Sequence, residues 1–186
     1  MTDLKPITAL NGDSAAVDTI ATLTIRENPD LALASVAARH GAGDTVAARL
    51  KDALSLSLLA PAHWAAAGDY AAIWLGPDQW MVNAEYGTHA LLASDLKAIV
   101  GDAGSVTEQT DGWCCFDVEG EQLVAAFERL CALDFAQMQP GQANRTTIHH
   151  LGCLVVRTDA GASVFGPRSS ARSLHHALIE AAYSVA

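Results

Sequence analysis

The seven histidines of this sequence are the residues best suited to bind a metal ion or to move a proton near neutral pH. Four of them form two adjacent pairs, His149-His150 and His175-His176. Adjacent side chains point to opposite faces of a strand and lie about 100° apart on a helix, so neither pair can easily hold one ion. The pattern therefore predicts no metal site. A partly exposed face with an imidazole at the edge of the core accounts for both pairs.

The four cysteines, Cys114, Cys115, Cys131 and Cys153, lack the paired spacing of a zinc site. Because Cys114 and Cys115 are adjacent in a strand-like segment, they predict one core thiol and one partly exposed thiol rather than a redox pair. We expect all four thiols to be reduced and most of them to be buried.

Patterns of nucleophilic catalysis and of nucleotide binding are missing. There is no Gly-x-Ser-x-Gly segment, and Ser169-Ser170 is better explained as the start of the last helix. The segment Gly41-Ala42-Gly43-Asp44 lies between two predicted helices and lacks both the third glycine and the lysine of a phosphate loop. We therefore expect no catalytic residue and no cofactor-binding residue in this chain.

Three arginines, Arg145, Arg168 and Arg172, fall at the ends of predicted elements in a chain that has only 11 lysines and arginines. One interpretation is pairing with nearby surface carboxylates, which contributes little. The other is binding of a partner's carboxylates or carbonyls by planar guanidinium donors, which protein interfaces favour. Both interpretations stay open at this point.

Two indoles flank a turn at Gly76-Pro77-Asp78, between apolar runs at 70–75 and 80–84. Proline and aspartate are typical of turns, and the runs are apolar enough for strands, so the segment predicts a β-hairpin. We expect Trp74 or Trp80 to be partly exposed, since a small core does not easily bury both. The two tryptophans join the three arginines as candidate interface residues.

The overall composition narrows the classes of partner. Hydrophobic residues make up 51% and charged residues 17% of the 186 residues, which favours a surface that meets another protein. The net charge of -10 argues against nucleic acid and against an anionic membrane surface. The beginning of the chain carries no signal-peptide pattern, and no apolar run has the length of a membrane span, so we expect a cytoplasmic protein.

Hydrophobic spacing and turn residues predict strands and helices interspersed along the chain. The predicted strands lie at 18–27, 70–75, 80–84, 105–109, 113–118, 145–150, 153–157 and 162–165. The predicted helices lie at 31–40, 44–55, 88–100, 121–133 and 169–183. A hairpin followed by a helix occurs twice, which favours an α+β fold over a doubly wound parallel sheet.

The domain organisation predicted from these elements is a flexible arm at 1–17 and a single compact α+β unit at 18–186. The repeated element order allows a subdivision into half-domains of about 18–103 and 104–186. No linker or low-complexity segment divides the chain.

Four segments together resemble the gamma subunit family of heterotetrameric sarcosine oxidase, over about residues 18–183. They are Trp74-Leu75-Gly76-Pro77-Asp78-Gln79-Trp80, Leu130-Cys131-Ala132-Leu133-Asp134, Pro140-Gly141-Gln142-Ala143-Asn144-Arg145-Thr146 and Arg168-Ser169-Ser170-Ala171-Arg172-Ser173. The hairpin segment is fairly specific, and the order and spacing of all four carry the resemblance.

The resemblance implies a fold related to the folate-binding domain of glycine-cleavage T-proteins, with antiparallel sheets covered by helices in two ferredoxin-like halves. It also implies a role in a complex that oxidises sarcosine to glycine and formaldehyde with hydrogen peroxide. The implied partners are the larger alpha and beta subunits and the small delta subunit. Flavin, NAD and zinc are expected on those partners and not on this chain, which would act in assembly and in subunit contacts.

Two other functions remain open from the sequence. The fold resemblance allows a stand-alone folate-binding or one-carbon-transfer protein, and this support is associational. An assembly or storage module without a metabolic ligand is the third alternative. Binding of tetrahydrofolate would separate the first two hypotheses.

Overall fold

The computed structural model describes residues 5–57 and 60–186. The strands found there are β1 (Val17–Ile20), β2 (Leu23–Glu27), β3 (Leu31–Ala38), β4 (Trp64–Ala67), β5 (Tyr70–Gly76), β6 (Gln79–Glu85), β7 (Gly104–Glu108), β8 (Trp113–Gly120), β9 (Ala143–Ile148), β10 (Leu151–Arg157) and β11 (Gly161–Pro167). The helices are α1 (Gly43–Leu54), α2 (Tyr86–His89), α3 (Leu92–Val100), α4 (Leu123–Leu130) and α5 (Ala171–Tyr183). Two antiparallel sheets with helices confirm the predicted α+β class.

The chain divides into two compact units. The first contains the residues up to Pro29, Asp111–Pro140 and Asn144–Ala186, and the second contains Asp30–Thr110 and Gly141–Ala143. The first unit thus takes segments from both sides of the second, whereas the sequence suggested half-domains of about 18–103 and 104–186. The reason is strand pairing, since β2 pairs with β8, far along the chain.

The first unit is built on a six-stranded sheet in the order β1-β2-β8-β11-β10-β9. Helices α4 and α5 pack against each other, and their apolar sides join the core with Phe116 and Val164 of the sheet. Phe127 of α4 stacks on Phe135 with ring centroids 4.1 Å apart. α5 lies close to the sheet at Gly166, where a Cβ atom would sit only 2.6 Å from Cδ2 of Leu174.

The second unit is built on a five-stranded sheet in the order β4-β5-β6-β3-β7. Helices α1 and α3 pack against each other, and their buried Val46, Leu50 and Leu96 share one core with Val36 and Val82 of the sheet. Both predicted strands of the tryptophan hairpin, 70–75 and 80–84, are confirmed as β5 and β6.

The predicted helix at 31–40 is wrong, because residues 31–38 form β3. This strand pairs with β6 on one side and with β7 on the other, and Ala32, Leu33, Ala34 and Val36 are buried. An almost continuous apolar run rich in alanine does not distinguish a buried strand from a helix, and cross-strand pairing outweighs the helix propensity of alanine.

Three smaller differences concern turns and ends. The predicted strand at 18–27 is the hairpin of β1 and β2, which turns at Ala21 with φ +49°. The predicted helix at 88–100 is divided into α2 and α3. Strand β4 was not predicted, because three successive alanines, Ala65–Ala67, carry little β propensity.

The segment before β1 is held at defined points. Residues 1–4 of the predicted arm lie outside the described residues. In the remainder, Thr8 is buried, and the amides of Leu10 and Ala16 donate to the carboxylate of Glu27 at 3.0 and 3.2 Å. Glu27 is only 2% exposed, so these two amides satisfy a buried charge at the end of β2.

Within the described ranges, no helix combines the length and the apolar character that a membrane crossing requires.

Candidate partner-binding cavity

Arg168 and Arg172, two of the arginines singled out from the sequence, line one cavity of about 480 Å³ in the first unit. We call it the arginine cavity. Its wall comes from three separate parts of the chain: Ile7, Thr8, Ala9, Asn11, Asp111 and residues 168–173. Three serines, Ser169, Ser170 and Ser173, line the cavity together with the two arginines.

Strand β11 and helix α5 place the two arginines. β11 ends at Pro167, a 3₁₀ turn covers residues 168–170, and α5 begins at Ala171. Since Leu174 is fully buried against the sheet, the first turn of α5 is fixed and Arg172 is left on its exposed side. Arg168 is half-buried, and its Nη2 donates to the carbonyl of Ile7 at 2.9 Å.

The segment 7–11 forms another part of the cavity wall, and hydrogen bonds hold it in place. Its amide at Leu10 binds the buried Glu27 carboxylate, while Thr8 Oγ1 accepts the amide of Gly12 at 3.1 Å. Asn11 adopts φ +67°, a left-handed conformation that asparagine tolerates better than most residues. The segment is therefore anchored by these two hydrogen bonds and turns at Asn11.

Arg168 and Arg172 have no ionic partner in the part of the chain that the structure describes. Neither cavity arginine takes part in the ion pairs His175–Asp18 and His176–Glu180. Asp111 lines the cavity without forming a salt bridge to either arginine. Two arginines without an ionic partner in the described residues thus line the same cavity of a chain whose net charge is -10.

Arg145 lies apart from this cavity. It is exposed on β9, which forms one edge of the six-stranded sheet, and it is not among the residues that line the arginine cavity. The structure therefore brings together two of the three arginines that the sequence singled out.

The two candidate tryptophans belong to the second unit and lie opposite each other, Trp74 on β5 and Trp80 on β6. Trp74 is half-buried and Trp80 is 7% exposed, which confirms that one indole stays partly exposed. Trp80 Nε1 has no hydrogen-bond partner among the described residues. The hairpin mainly builds the core of this unit.

The turn of the tryptophan hairpin also serves the fold. Asp78 has φ +55°, and its carbonyl accepts the amide of Ala38 at 2.9 Å. Its carboxylate lies directly against Gly43, the first residue of α1, where any side chain would collide with it. The motif therefore connects the hairpin to β3 and to the start of α1.

One of the two histidine pairs, His149-His150, occupies a different position from that predicted, whereas His175-His176 lies on the predicted last helix. His149 and His150 form the turn between β9 and β10, with φ +49° and +68°, and do not continue a strand to residue 150. His175 on α5 contacts Asp18 Oδ2 at 2.9 Å, and His176 is exposed next to Glu180. In residues 5–57 and 60–186 no three histidine, cysteine, aspartate or glutamate side chains are placed to hold a metal ion.

The four cysteines are free, and three of them are buried. The prediction that Cys114 or Cys115 is partly exposed is wrong, because the outer face of β8 is buried as well. Cys115 on β8 pairs with Phe165 on β11, which in turn pairs with Leu154 on β10, and both of these neighbours are buried. Burial raises the pKa of Cys114 and of Cys153 to about 11, and it raises the pKa of Cys115 well above its usual value.

One polar cluster could not be found from the sequence. The carboxylate of Asp117 on β8 accepts hydrogen bonds from Asn28 Nδ2 at 2.9 Å and from Ser163 Oγ at 2.5 Å. These residues come from three distant segments, and no spacing in the sequence connects them. Both carboxylate oxygens of Asp117 meet donors of this chain, so the cluster explains the local fold without a ligand.

No protein-family model matches this sequence, and no curated protein matches it. The fold matches a chain of the heterotetrameric sarcosine oxidase from Corynebacterium sp. U-96, solved in complex with pyrrole 2-carboxylate. The TM-score is 0.76 and the identity 22%, and the match covers 91% of this chain and 88% of that chain.

A second match is the glycine cleavage system aminomethyltransferase T from Bartonella henselae, with a TM-score of 0.65 and 15% identity. It covers 87% of this chain and 46% of that chain, so this chain spans about half of that protein. The two matches confirm, at the level of the fold, the resemblance drawn from the sequence.

Proposed function

We propose that this chain is a non-catalytic, gamma-type subunit of a heterotetrameric sarcosine oxidase. The complex would oxidise sarcosine to glycine and formaldehyde with hydrogen peroxide in the cytoplasm. In it this chain would support assembly through contacts with the larger alpha and beta subunits and with the small delta subunit. Flavin, NAD and zinc would be held by those partners.

The observation that carries this proposal is the extent of the match to the Corynebacterium oxidase chain. Because the match covers nearly all of both chains, the two chains have about the same length. A similar length of the two chains is expected if this chain is a small oxidase subunit, and not if it is one domain of a large subunit. The four sequence segments of the gamma family, distributed over residues 74–173, support the same assignment.

The contact surfaces proposed for the partners are the arginine cavity, Arg145 on the edge strand β9 and the half-buried Trp74. Arginine and tryptophan are frequent anchors of protein interfaces. Trp80 belongs to the same motif but is buried, so its contribution would be indirect, through the shape of the hairpin.

The test is purification of the affinity-tagged chain from its native host. We expect three further chains to co-purify, with a flavin absorbance spectrum and with sarcosine-dependent production of hydrogen peroxide. The tagged chain alone, expressed in a different host, should be colourless and inactive toward sarcosine. Recovery without any flavoprotein from cells grown on sarcosine would contradict the proposal.

The stand-alone folate-binding protein is the second candidate, because the fold is shared with aminomethyltransferase T. Calorimetric titration of the isolated chain with tetrahydrofolate separates the two functions. Heat of binding that saturates at one tetrahydrofolate per chain would favour the second candidate. The absence of heat, together with recovery of a flavoprotein complex, would favour the subunit.

A further inference from the structure

We propose that the arginine cavity binds an acidic segment of a partner subunit, whose aspartate, glutamate or C-terminal carboxylates pair with Arg168 and Arg172. This inference rests on the proposed function and specifies the chemistry of one contact. The partner is a polypeptide, and small anions are treated below as a competing explanation.

The guanidinium groups are suited to this ligand because each is a planar fork of five N–H donors that matches the two oxygens of a carboxylate. Arg168 uses one donor to hold the carbonyl of Ile7, which limits its side-chain motion before any ligand arrives. Arg172 is exposed one turn further along the chain and makes no ion pair within the described chain. One group is thus held in place and the other is adaptable.

Charge supports an acidic ligand. The chain has 21 acidic residues against 11 basic ones, yet no carboxylate within residues 5–57 and 60–186 pairs with these two arginines. The two arginines would attract an incoming carboxylate to the cavity, while the net negative charge of the chain would repel it elsewhere. The charge distribution therefore favours binding at the cavity. Asp111 also lines the cavity, and its negative charge should weaken the binding of any acidic ligand.

The size and lining of the cavity favour a polypeptide over a single anion. About 480 Å³ is much more than one carboxylate or phosphate occupies, and serine hydroxyls offer hydrogen bonds to a peptide backbone. Ile7 is 52% exposed at the wall and offers apolar contact to a side chain next to the acidic one. The buried Glu27, through Leu10, keeps this wall in position.

The first experiment measures fluorescence anisotropy of a labelled tetraglutamate peptide with the full chain at low salt. The matched tetraglutamine peptide is the ligand control. We expect binding of tetraglutamate alone, weakened at least about tenfold by Arg168→Ala or Arg172→Ala, because each removes a charge-assisted pair. Arg129→Ala, which removes an equal exposed charge on α4 outside the cavity, should change the affinity less than about twofold, and Asp111→Asn should strengthen it.

Three kinds of result would overturn the inference. The first is equal binding of the tetraglutamine and tetraglutamate peptides, or no binding of either up to millimolar protein. The second is displacement of tetraglutamate by inorganic phosphate at equal concentration, which would indicate a site for small anions. The third is a uniform loss of affinity for all three arginine variants, because the net charge of the chain would then explain the binding.

The second experiment uses the complex from the native host and separates this inference from the proposed function. If the wild-type chain recovers the flavoprotein and the Arg168→Ala, Arg172→Ala double variant does not, while Arg129→Ala, which removes an exposed charge on α4 outside the proposed contact surfaces, does, the inference is supported. If wild type and double variant recover it equally, the inference fails and the proposed function stands. If wild type recovers no flavoprotein, the proposed function fails, and the peptide experiment alone decides the cavity.

Discussion

The tryptophan hairpin of the second unit and the arginine cavity of the first unit differ in what their residues do. The hairpin motif is the most recognisable segment of the sequence, yet Trp80 is buried and Asp78 binds β3 and lies against the start of α1. The cavity has a weak sequence pattern, yet its arginines lack ionic partners within the described chain. A conspicuous motif can thus serve the fold, while the side chains available to a partner lie elsewhere.

The largest expected effect comes from truncation in the hairpin. Trp80→Ala should lower the free energy of unfolding by about 3–5 kcal/mol, because it leaves a cavity among the buried residues of the second unit. Trp80→Phe is the matched control and should cost much less, since it keeps an aromatic ring and removes an indole N–H without a described partner. Urea denaturation followed by circular dichroism measures both.

If the free energy of unfolding of Trp80→Ala were close to that of wild type, the conclusion that the hairpin serves the fold would be wrong. Such a result would mean that the hairpin is an interface element held only loosely by its own unit, and the two regions would then have the same role.

The next effect concerns the wall of the cavity. Glu27→Ala should lower the free energy of unfolding by roughly 2–3 kcal/mol, because the half-buried Leu10 and Ala16 lose the carboxylate that accepts from their amides. Hydrogen exchange at these two amides should accelerate in the variant. Glu27→Gln retains one acceptor oxygen, so its free energy of unfolding and its rates of hydrogen exchange should lie between those of Glu27→Ala and wild type. Unchanged exchange at both amides would show that Glu27 does not hold the segment.

The sequence predicted those parts of the fold whose signals are local. Strands β5 and β6 follow from apolar runs around a Gly-Pro-Asp turn, and α1 follows from its spaced apolar residues. Strand β3 was missed, since its alanine-rich run has no period and only its pairing with β6 and β7 distinguishes it from a helix.

The candidate site was predicted only in part, for the same physical reason. Arg168 and Arg172 come from one segment at the start of a helix, so local sequence could single them out. Residues 7–11 and Asp111 join them only through tertiary structure, and no spacing connects these segments. The burial of Cys115 likewise depends on what covers the second face of a sheet, which a single strand does not reveal.

A smaller effect on stability should appear at alkaline pH, and it should arise from thiols of the first unit. Cys114, Cys115 and Cys153 belong to this unit, and burial raises their pKa values, those of Cys114 and Cys153 to about 11. A raised pKa means that the folded state holds the thiol proton more tightly than the unfolded state does. The associated stability is complete below pH 9 and is lost as the pH rises toward 11.

The measurement is the urea midpoint at a series of pH values between 8 and 11. The Cys114→Ala, Cys153→Ala double variant should show a shallower alkaline decline than wild type, while Cys131→Ala, at a half-buried position, should decline as wild type does. Parallel declines in all three proteins would assign the effect to groups other than these thiols.

The smallest expected effect is that of the cavity arginines on the isolated chain. Arg172→Ala removes an exposed side chain without a described hydrogen bond, so the free energy of unfolding should change by less than about 0.5 kcal/mol. Arg168→Ala loses the bond to Ile7 and should cost about 1 kcal/mol at most. Thermal unfolding of both variants beside Trp80→Ala gives the direct contrast between the two regions. A loss of several kcal/mol for Arg172→Ala would mean that this guanidinium stabilises the fold itself. In that case the cavity would be a structural feature of the first unit, and a defect of this variant in binding a partner could not be attributed to a lost contact.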